Sequence, residues 1–338
     1  MILRSHNEWG RLRSVIVGRA DQARVPIDDI SLRAINYAGG AARQIAHGPY
    51  PAQVVNEANE DLERLCDVFT DAGVTVYRPD PPDTGLRHGA DGWQSDGYYA
   101  FCPRDGLLVV GDTVIETPMV LRARYTDAFP YRRLLLEAMN DGARWLAAPR
   151  PRLTDAGYDE HADQDHKSLR NLEPVFDAAN VLRAGNDLLF LESNSGNRLG
   201  AEWLQRALGT SYRVHFLQGL YSYMHLDSTI SLLRPGVALL NPARLNANNL
   251  PEFFKGWQIL WCPEPVDIGF HPPYEHASKW VGMNLLMLDE RTAIVERSQT
   301  PLIKMLEAER FEVIPVPMRH ARTLGGAVHC VTLDLERD

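Results

Sequence analysis

The sequence predicts an α/β fold in which one ββαβ unit recurs about five times as a pseudo-symmetric, propeller-like ring around a central site, with residues 1–338 forming a single domain. Two observations predict it. First, tight hairpins of apolar strands recur: 107–110 with 113–116 about Gly111-Asp112, 180–183 with 188–191 about 184–187, 230–233 with 237–240 about Arg234-Pro235-Gly236, and 284–288 with 292–295 about Asp289-Glu290-Arg291. Second, the hairpins are followed by a polar or glycine-marked stretch leading toward a helix and a third strand. A supersecondary unit repeated in this way buries its apolar face only by stacking on its neighbours. A doubly wound parallel sheet is the alternative, but parallel strands need crossovers of a dozen or more residues, whereas these hairpins are tight and consecutive. Neither a G-x-G-x-x-G run nor a Walker-type loop occurs, so no nucleotide is implied.

In chain order, residues 13–18 read as a buried strand ending in a turn. Residues 20–51 are rich in Gly, Pro and Ala without a clear period and read as an irregular excursion, a flap over a site that shapes its pocket. Val54, Val55, Ala58, Leu62, Leu65 and Phe69 then fall on one stripe of a helix over 52–72, which Gly73 ends. A strand over 74–77 follows. The hairpin units come next, with helices over 131–140, 200–208 and 301–309 and third strands over 212–216 and 311–316. The alternating run 331–335 closes the N-terminal unit.

Composition narrows the chemistry. A formal charge of -9 argues against nucleic acid or an anionic membrane as partner and favours a cationic or zwitterionic small molecule. No apolar run approaches the roughly 20 residues that span a bilayer, and the first residues do not read as a signal peptide, so a cytoplasmic protein is expected. Cys66, Cys102, Cys262 and Cys330 are scattered without a C-x-x-C pair, which speaks against a disulfide framework and against a zinc site.

One of these cysteines stands in a distinctive place. Gly325 and Gly326 permit a backbone shape or close approach that residues with a Cβ avoid, just before Cys330 at the mouth of the last strand. A buried structural thiol is the plain reading. His329 is adjacent, but strand neighbours point to opposite faces, which makes it a poor base for that thiol. Elsewhere His225 and Asp227 stand at i and i+2, on one face if the segment is a strand; Asp177 precedes one strand and Asp105 precedes the first hairpin. Each is weak alone. Together, carboxylates converging with a thiol and a histidine would bind a guanidinium through charge-assisted hydrogen bonds while the thiolate attacks its central carbon. A histidine with its ordinary pKa near 6.5 would protonate the departing amine and later deprotonate an incoming nucleophile.

The runs Glu-Pro-Val-Phe-Asp-Ala-Ala-Asn (173–180), Met-His-Leu-Asp-Ser-Thr (224–229), Asn-Pro-Ala-Arg (241–244), Ser-Lys-Trp (278–280) and Gly-Gly-Ala-Val-His-Cys (325–330) resemble the amidinotransferase family. The resemblance extends from Ser5 to Asp334 and is nearest to the bacterial inosamine-phosphate enzymes of streptomycin assembly. It implies a pentein-like ring and ping-pong transfer without a cofactor or metal. Arginine's amidino group would pass to Cys330 with release of ornithine, then to an amine acceptor. It also implies roles: Cys330 as nucleophile, His225 as general acid and base, Asp177 as the carboxylate that binds the guanidinium and orients the histidine, Asp105 and Asp227 as further guanidinium ligands, and Arg244 and Ser278 as ligands of the donor's carboxylate. A homodimer and a place in antibiotic or toxin biosynthesis follow from the same resemblance. Two positions depart from the pattern: Ala327 stands where a third glycine is usual, and Met224 resembles the glycine-type enzyme. Rival readings are a guanidine hydrolase of the arginine deiminase type, transfer to glycine or lysine, and a non-catalytic guanidine-binding ring.

Overall fold

A computed structural model describes residues 1–37, 46–162 and 167–338. The chain opens on β1 (Leu12–Val17) and reaches the short helix α1 (Ile30–Asn36) and the long helix α2 (Ala52–Asp71). β2 (Thr75–Tyr77) then lies parallel to β1. Val54, Ala58, Leu62, Leu65 and Phe69 form the buried stripe of α2, and Gly73, at φ 76°, supplies the left-handed turn that stops it. After the short helix α3 (Pro103–Gly106), β3 (Leu107–Val110) and β4 (Thr113–Glu116) make a hairpin; α4 (Arg132–Asn140) then returns the chain to β5 (Arg144–Ala147), parallel to β4.

The same construction recurs. β6 (Val181–Ala184) pairs antiparallel with β7 (Asp187–Leu191), and α5 (Arg198–Leu208) leads to β8 (Arg213–Leu217), parallel to β7. β9 (Ile230–Arg234) and β10 (Val237–Leu240) are joined by β11 (Gln258–Trp261), and β12 (Leu286–Met287) and β13 (Thr292–Glu296) by α6 (Thr300–Ala308) and β14 (Glu312–Val316). Finally α7 (Ala321–Leu324) precedes β15 (Thr332–Arg337), which runs antiparallel to β1. The first sheet is therefore ordered β15-β1-β2 and completed by the two ends of the chain.

Alternate residues of each central hairpin face opposite clusters. Leu107, Val109 and Val114 pack with Ile16, Leu333 and Leu335, whereas Leu108, Val110 and Ile115 pack with Val181, Leu188 and Phe190. Leu182, Leu189 and Leu191 meet Leu232, Ala238 and Leu240; Leu233, Val237 and Leu239 meet Met287, Ala293 and Val295; Leu286 and Ile294 meet Val15, Val17 and Val331. Strands buried on both faces explain why these runs are almost continuously apolar. Among the described residues the five three-stranded sheets are not hydrogen-bonded into one closed barrel; side-chain clusters lie between each and the next and between the last and the first.

Several expectations need correction. The excursion over 20–51 contains α1, which Asp29 caps by accepting from the Ser31 and Leu32 amides, and a short ribbon of Arg24–Val25 with Gly48–Pro49. Residues 38–45 of the expected flap lie outside the described residues. The unit 230–261 has no α-helix before its third strand, only a 3₁₀ turn over Glu252–Phe254. Among the described residues no helix is long and apolar enough to cross a membrane.

Candidate active site

Each sheet is approached through a short helical or turn segment, and the reactive side chains sit on or beside these segments. Asp105 lies on α3, Asp177 immediately precedes a 3₁₀ turn at Ala178–Asn180, His225 and Asp227 flank the start of a 3₁₀ turn at Leu226–Ser228, and Ser278 caps one at Lys279–Met283. The glycine pair follows α7, with Gly325 at φ 83°. Cys330 then occupies a turn two residues before β15, not the strand itself. His225 and Asp227 likewise do not share a strand face. Extended backbone at His225 passes directly into the turn, and this bend sends the two side chains to different partners.

Five of the seven expected residues fall into two contact groups, Cys330 with Asp227 and His225 with Asp177 and Asp105. The Cys330 thiol donates to Asp227 Oδ2 at 3.3 Å. His225 Nε2 is 3.0 Å from Asp177 Oδ2, and its Nδ1 is 3.6 Å from Asp105 Oδ1. Asp105 Oδ2 accepts from Arg124 at 2.7 Å, while Oδ1 is buried with no hydrogen-bond partner among the described residues. A buried acceptor left open is costly. The His225 side chain is 13% exposed against 3% for Asp105 and Asp177, so the site opens on the imidazole side.

Charge sets the resting protonation states. Burial would lower the His225 pKa, but Asp105, Asp177 and Asp227 outweigh it and raise it to about 9. The ordinary value expected from sequence is thus displaced, and His225 is an imidazolium at neutral pH. Burial, with Asp227, Cys102 and Asp105 adding to it, pushes the Cys330 thiol well above its usual value. The free site therefore holds a thiol and needs an incoming cation to favour thiolate.

Arg244 is not a loose surface arginine. Its Nη1 donates to Ser228 O, Ser228 Oγ and Thr229 Oγ1, next to Asp227, and its guanidinium lies 3.4 Å from the centre of the Tyr221 ring. Ser278 is exposed, and its hydroxyl accepts from the Trp280 amide; among the described residues no hydrogen bond or ion pair joins it to the other six.

Four further residues build the site. Asn284 Oδ1 accepts from both the His329 and Cys330 amides, at 2.9 and 3.1 Å, and fixes the turn that carries Cys330. Arg104 Nε donates to the His329 and Thr332 carbonyls. His329 Nδ1 is 2.9 Å from Asp227 Oδ2 and its Nε2 3.3 Å from Glu8 Oε2. Of these only His329 stands within a run already noticed, 325–330, and nothing in the sequence singles out Asn284. Gly326 is a close-approach glycine: a Cβ there would stand 2.6 Å from Cys102 Sγ and 3.0 Å from Cys330 Cβ. Ala327, by contrast, is buried without positive φ, and its carbonyl accepts from the Val331 amide, so a third glycine is not required.

No protein-family model matches the chain. Among curated proteins it is 52% identical to inosamine-phosphate amidinotransferase 1 of Streptomyces glaucescens over 98% of this chain and 96% of that protein. It is 38% identical to the L-arginine:L-lysine amidinotransferase of Pseudomonas savastanoi pv. phaseolicola (98% and 94% covered) and 38% to the mitochondrial glycine amidinotransferase of Gallus gallus (98% and 82%). The solved inosamine-phosphate amidinotransferase of Streptomyces griseus superposes with a TM-score of 0.97 at 50% identity, covering 99% of this chain and 97% of that one. A dimethylarginine dimethylaminohydrolase from Pseudomonas aeruginosa, at 14% identity and TM-score 0.59 over 96% and 99% of the two chains, shares the α/β fold alone. Identities of this size across nearly the whole chain make it a member of the amidinotransferase family, and so a transferase.

Proposed function

We propose that this chain is an L-arginine:amine amidinotransferase of secondary metabolism, working by ping-pong transfer through an amidino-Cys330 intermediate. The observation that carries the reading is the convergence of a thiol, an imidazolium and three carboxylates, one with an open buried acceptor, at the approaches to separate sheets. Asp105 Oδ1 and Asp177 bind the arginine guanidinium, and Arg244 and Ser278 are assigned to its carboxylate. The bound cation favours the thiolate, and Sγ attacks the central guanidino carbon. His225 gives its proton to the departing nitrogen of ornithine as that C–N bond breaks, and the proton shed by Cys330 recharges it. In the second half the acceptor amine attacks the same carbon, the C–S bond breaks, and the amine's proton returns the thiol through His225.

The cycle of shared clusters supports a five-unit pentein ring folded as one catalytic domain, which would place all seven residues near its axis. Relatives of 38% identity or more are amidinotransferases acting on inosamine phosphate, lysine or glycine, whereas the hydrolase likeness rests on 14% identity. This favours an aminocyclitol phosphate as acceptor over lysine or glycine, and transfer over hydrolysis. A homodimer in the cytoplasm using no cofactor completes the reading.

Incubation with guanidino-labelled L-arginine and a panel of amines tests it. Ornithine together with a guanidinylated amine is the expected result; citrulline formed without any acceptor would assign the chain to guanidine hydrolysis instead. The geometry of the glycine pair adds a prediction. Gly326→Ala should lower kcat about 100-fold by displacing Cys330, since a shift near 1 Å has that effect. Adding Cys102→Ala removes the nearer obstacle and should restore part of the rate in the same assay.

A further inference from the structure

We propose that His329 is a positioning residue for amidino transfer, clamped between Glu8 and Asp227 so that Asp227 stays a carboxylate aimed at the Cys330 thiol. The proposal rests on the transferase reading of the same site and adds a residue and a segment that the reading does not use.

The argument starts from hydrogen counts. His329 is buried, and each ring nitrogen faces a carboxylate oxygen, Asp227 Oδ2 at 2.9 Å and Glu8 Oε2 at 3.3 Å. Ionised carboxylates only accept, so satisfying both contacts requires hydrogen on both nitrogens. The oxygen that takes the His329 Nδ1–H also takes the Cys330 S–H. Asp227 is thus fixed on one side by an imidazole and presents its remaining lone-pair capacity to the reacting centre. Burial alone would raise the Asp227 carboxyl, but the contact with His329, aided by His225 and the Cys330 thiol, holds it at about 2.

The clamp is itself anchored. Glu8 accepts three hydrogen bonds from Arg183, one from its backbone amide and two from its guanidinium, and lies 3.6 Å from Arg104 Nη1, and Arg183 continues to Asp334. Arg104 also grips the His329 carbonyl, and Asn284 grips its amide. The charged or titratable groups bearing on this pair are therefore Glu8, Arg104, Arg183 and Asp334 on the inner side, and His225, Cys330, Asp105 and Cys102 on the site side. His329 lies next to the nucleophile, yet it acts through Asp227 and not on the thiol.

Asparagine can replace the Nδ1 donor and glutamine the Nε2 donor, which separates the two contacts. His329→Asn, keeping a donor toward Asp227, should form the amidino-Cys330 adduct from labelled arginine within a few-fold of the unsubstituted enzyme. His329→Gln should form it about 10- to 100-fold more slowly, the range expected for losing a hydrogen bond to a charged group. Its acid limb should move to higher pH, because an Asp227 without its donor becomes protonated sooner as pH falls. A second readout needs no transfer: the pH midpoint of Cys330 alkylation by iodoacetamide should rise in His329→Gln, where the Asp227 charge is less neutralised. Equal adduct rates and acid limbs in both variants, or an unchanged alkylation midpoint in His329→Gln, would overturn the proposal. If the unsubstituted enzyme formed no adduct while the alkylation midpoint still rose, the transferase reading alone would fail.

Discussion

Cys330→Ala is expected to abolish both half-reactions, with kcat falling at least about 10⁴-fold, the scale seen when a catalytic nucleophile is deleted. The unsubstituted protein incubated with labelled arginine and no acceptor should carry label on the tryptic peptide containing Cys330, and the variant none. Cys330→Ser should be equally silent, because a hydroxyl in this carboxylate-rich site has still less tendency to ionise than the thiol. Arginine should nevertheless bind the alanine variant, since Asp105, Asp177 and Arg244 are untouched. Binding without labelling separates the nucleophile from the guanidinium ligands, whereas ornithine release from the variant would refute covalent transfer through Cys330. The non-catalytic guanidine-binding reading expects no label on the unsubstituted protein either.

This outcome follows from the way the site stores charge. A thiol pushed up by burial and by Asp227 is inert in the empty enzyme, and an imidazolium near pKa 9 is the wrong form to act first as a base. Both are suited to a cationic donor. On the proposed mechanism a guanidinium placed against the carboxylates would offset the charge that held the thiol protonated, and His225 would already carry the proton the leaving amine needs.

Much of this was legible in the sequence, for identifiable reasons. The central hairpins were readable because both their faces are buried, and Gly111, Gly185 and Gly236 mark three of the turns with positive φ. The fourth turn has no glycine; Asp289 Oδ1 accepts from the Arg291 and Thr292 amides instead. β5 and β11 escaped notice because they are partly exposed strands at sheet edges, without a continuous apolar run. α1 was hidden by the Gly, Pro and Ala around it, although Asp29 caps it. The candidate site residues stood out through their motifs, but the raised pKa of His225 could not, because beside Asp227, two residues away, it comes from Asp105 and Asp177 on distant segments brought to it only by folding. His329 was set aside by strand logic that fails in a turn. There its ring and the neighbouring thiol meet on one carboxylate oxygen.

The same folding argument makes Arg183 the most consequential residue for stability. Only 1% exposed, it donates to both Glu8 oxygens at 2.9 Å, to Asp334 at 2.6 Å, to Ser5 Oγ at 2.7 Å and to the Val109 carbonyl at 3.1 Å. It thereby ties the N-terminal segment, β3, β6 and β15 together. Arg183→Met keeps most of the volume but leaves Glu8 with the residue 183 backbone amide, His329 and a more distant Arg104, and should cost about 3–5 kcal/mol in urea unfolding, the usual penalty for orphaning a buried charge. Asp334 suffers less, because Arg104 and Arg337 still reach it. Adding Glu8→Gln to Arg183→Met should therefore recover part of the loss, although Glu8→Gln alone destabilises. Burial would raise the Glu8 carboxyl, but Arg183 first, then His329 and Arg104, hold it below the ordinary range, and Asp334 is held low by Arg183, Arg104 and Arg337. A depressed carboxyl stabilises the fold above its unfolded pKa and loses that contribution as pH falls toward its folded one. The gap between the unsubstituted protein and Arg183→Met should accordingly be full at neutral pH and shrink below about pH 4, where the unfolded carboxyls take up protons. A gap that did not change with pH would mean that Arg183 stabilises through its packing and neutral hydrogen bonds, and not through the carboxylates it joins.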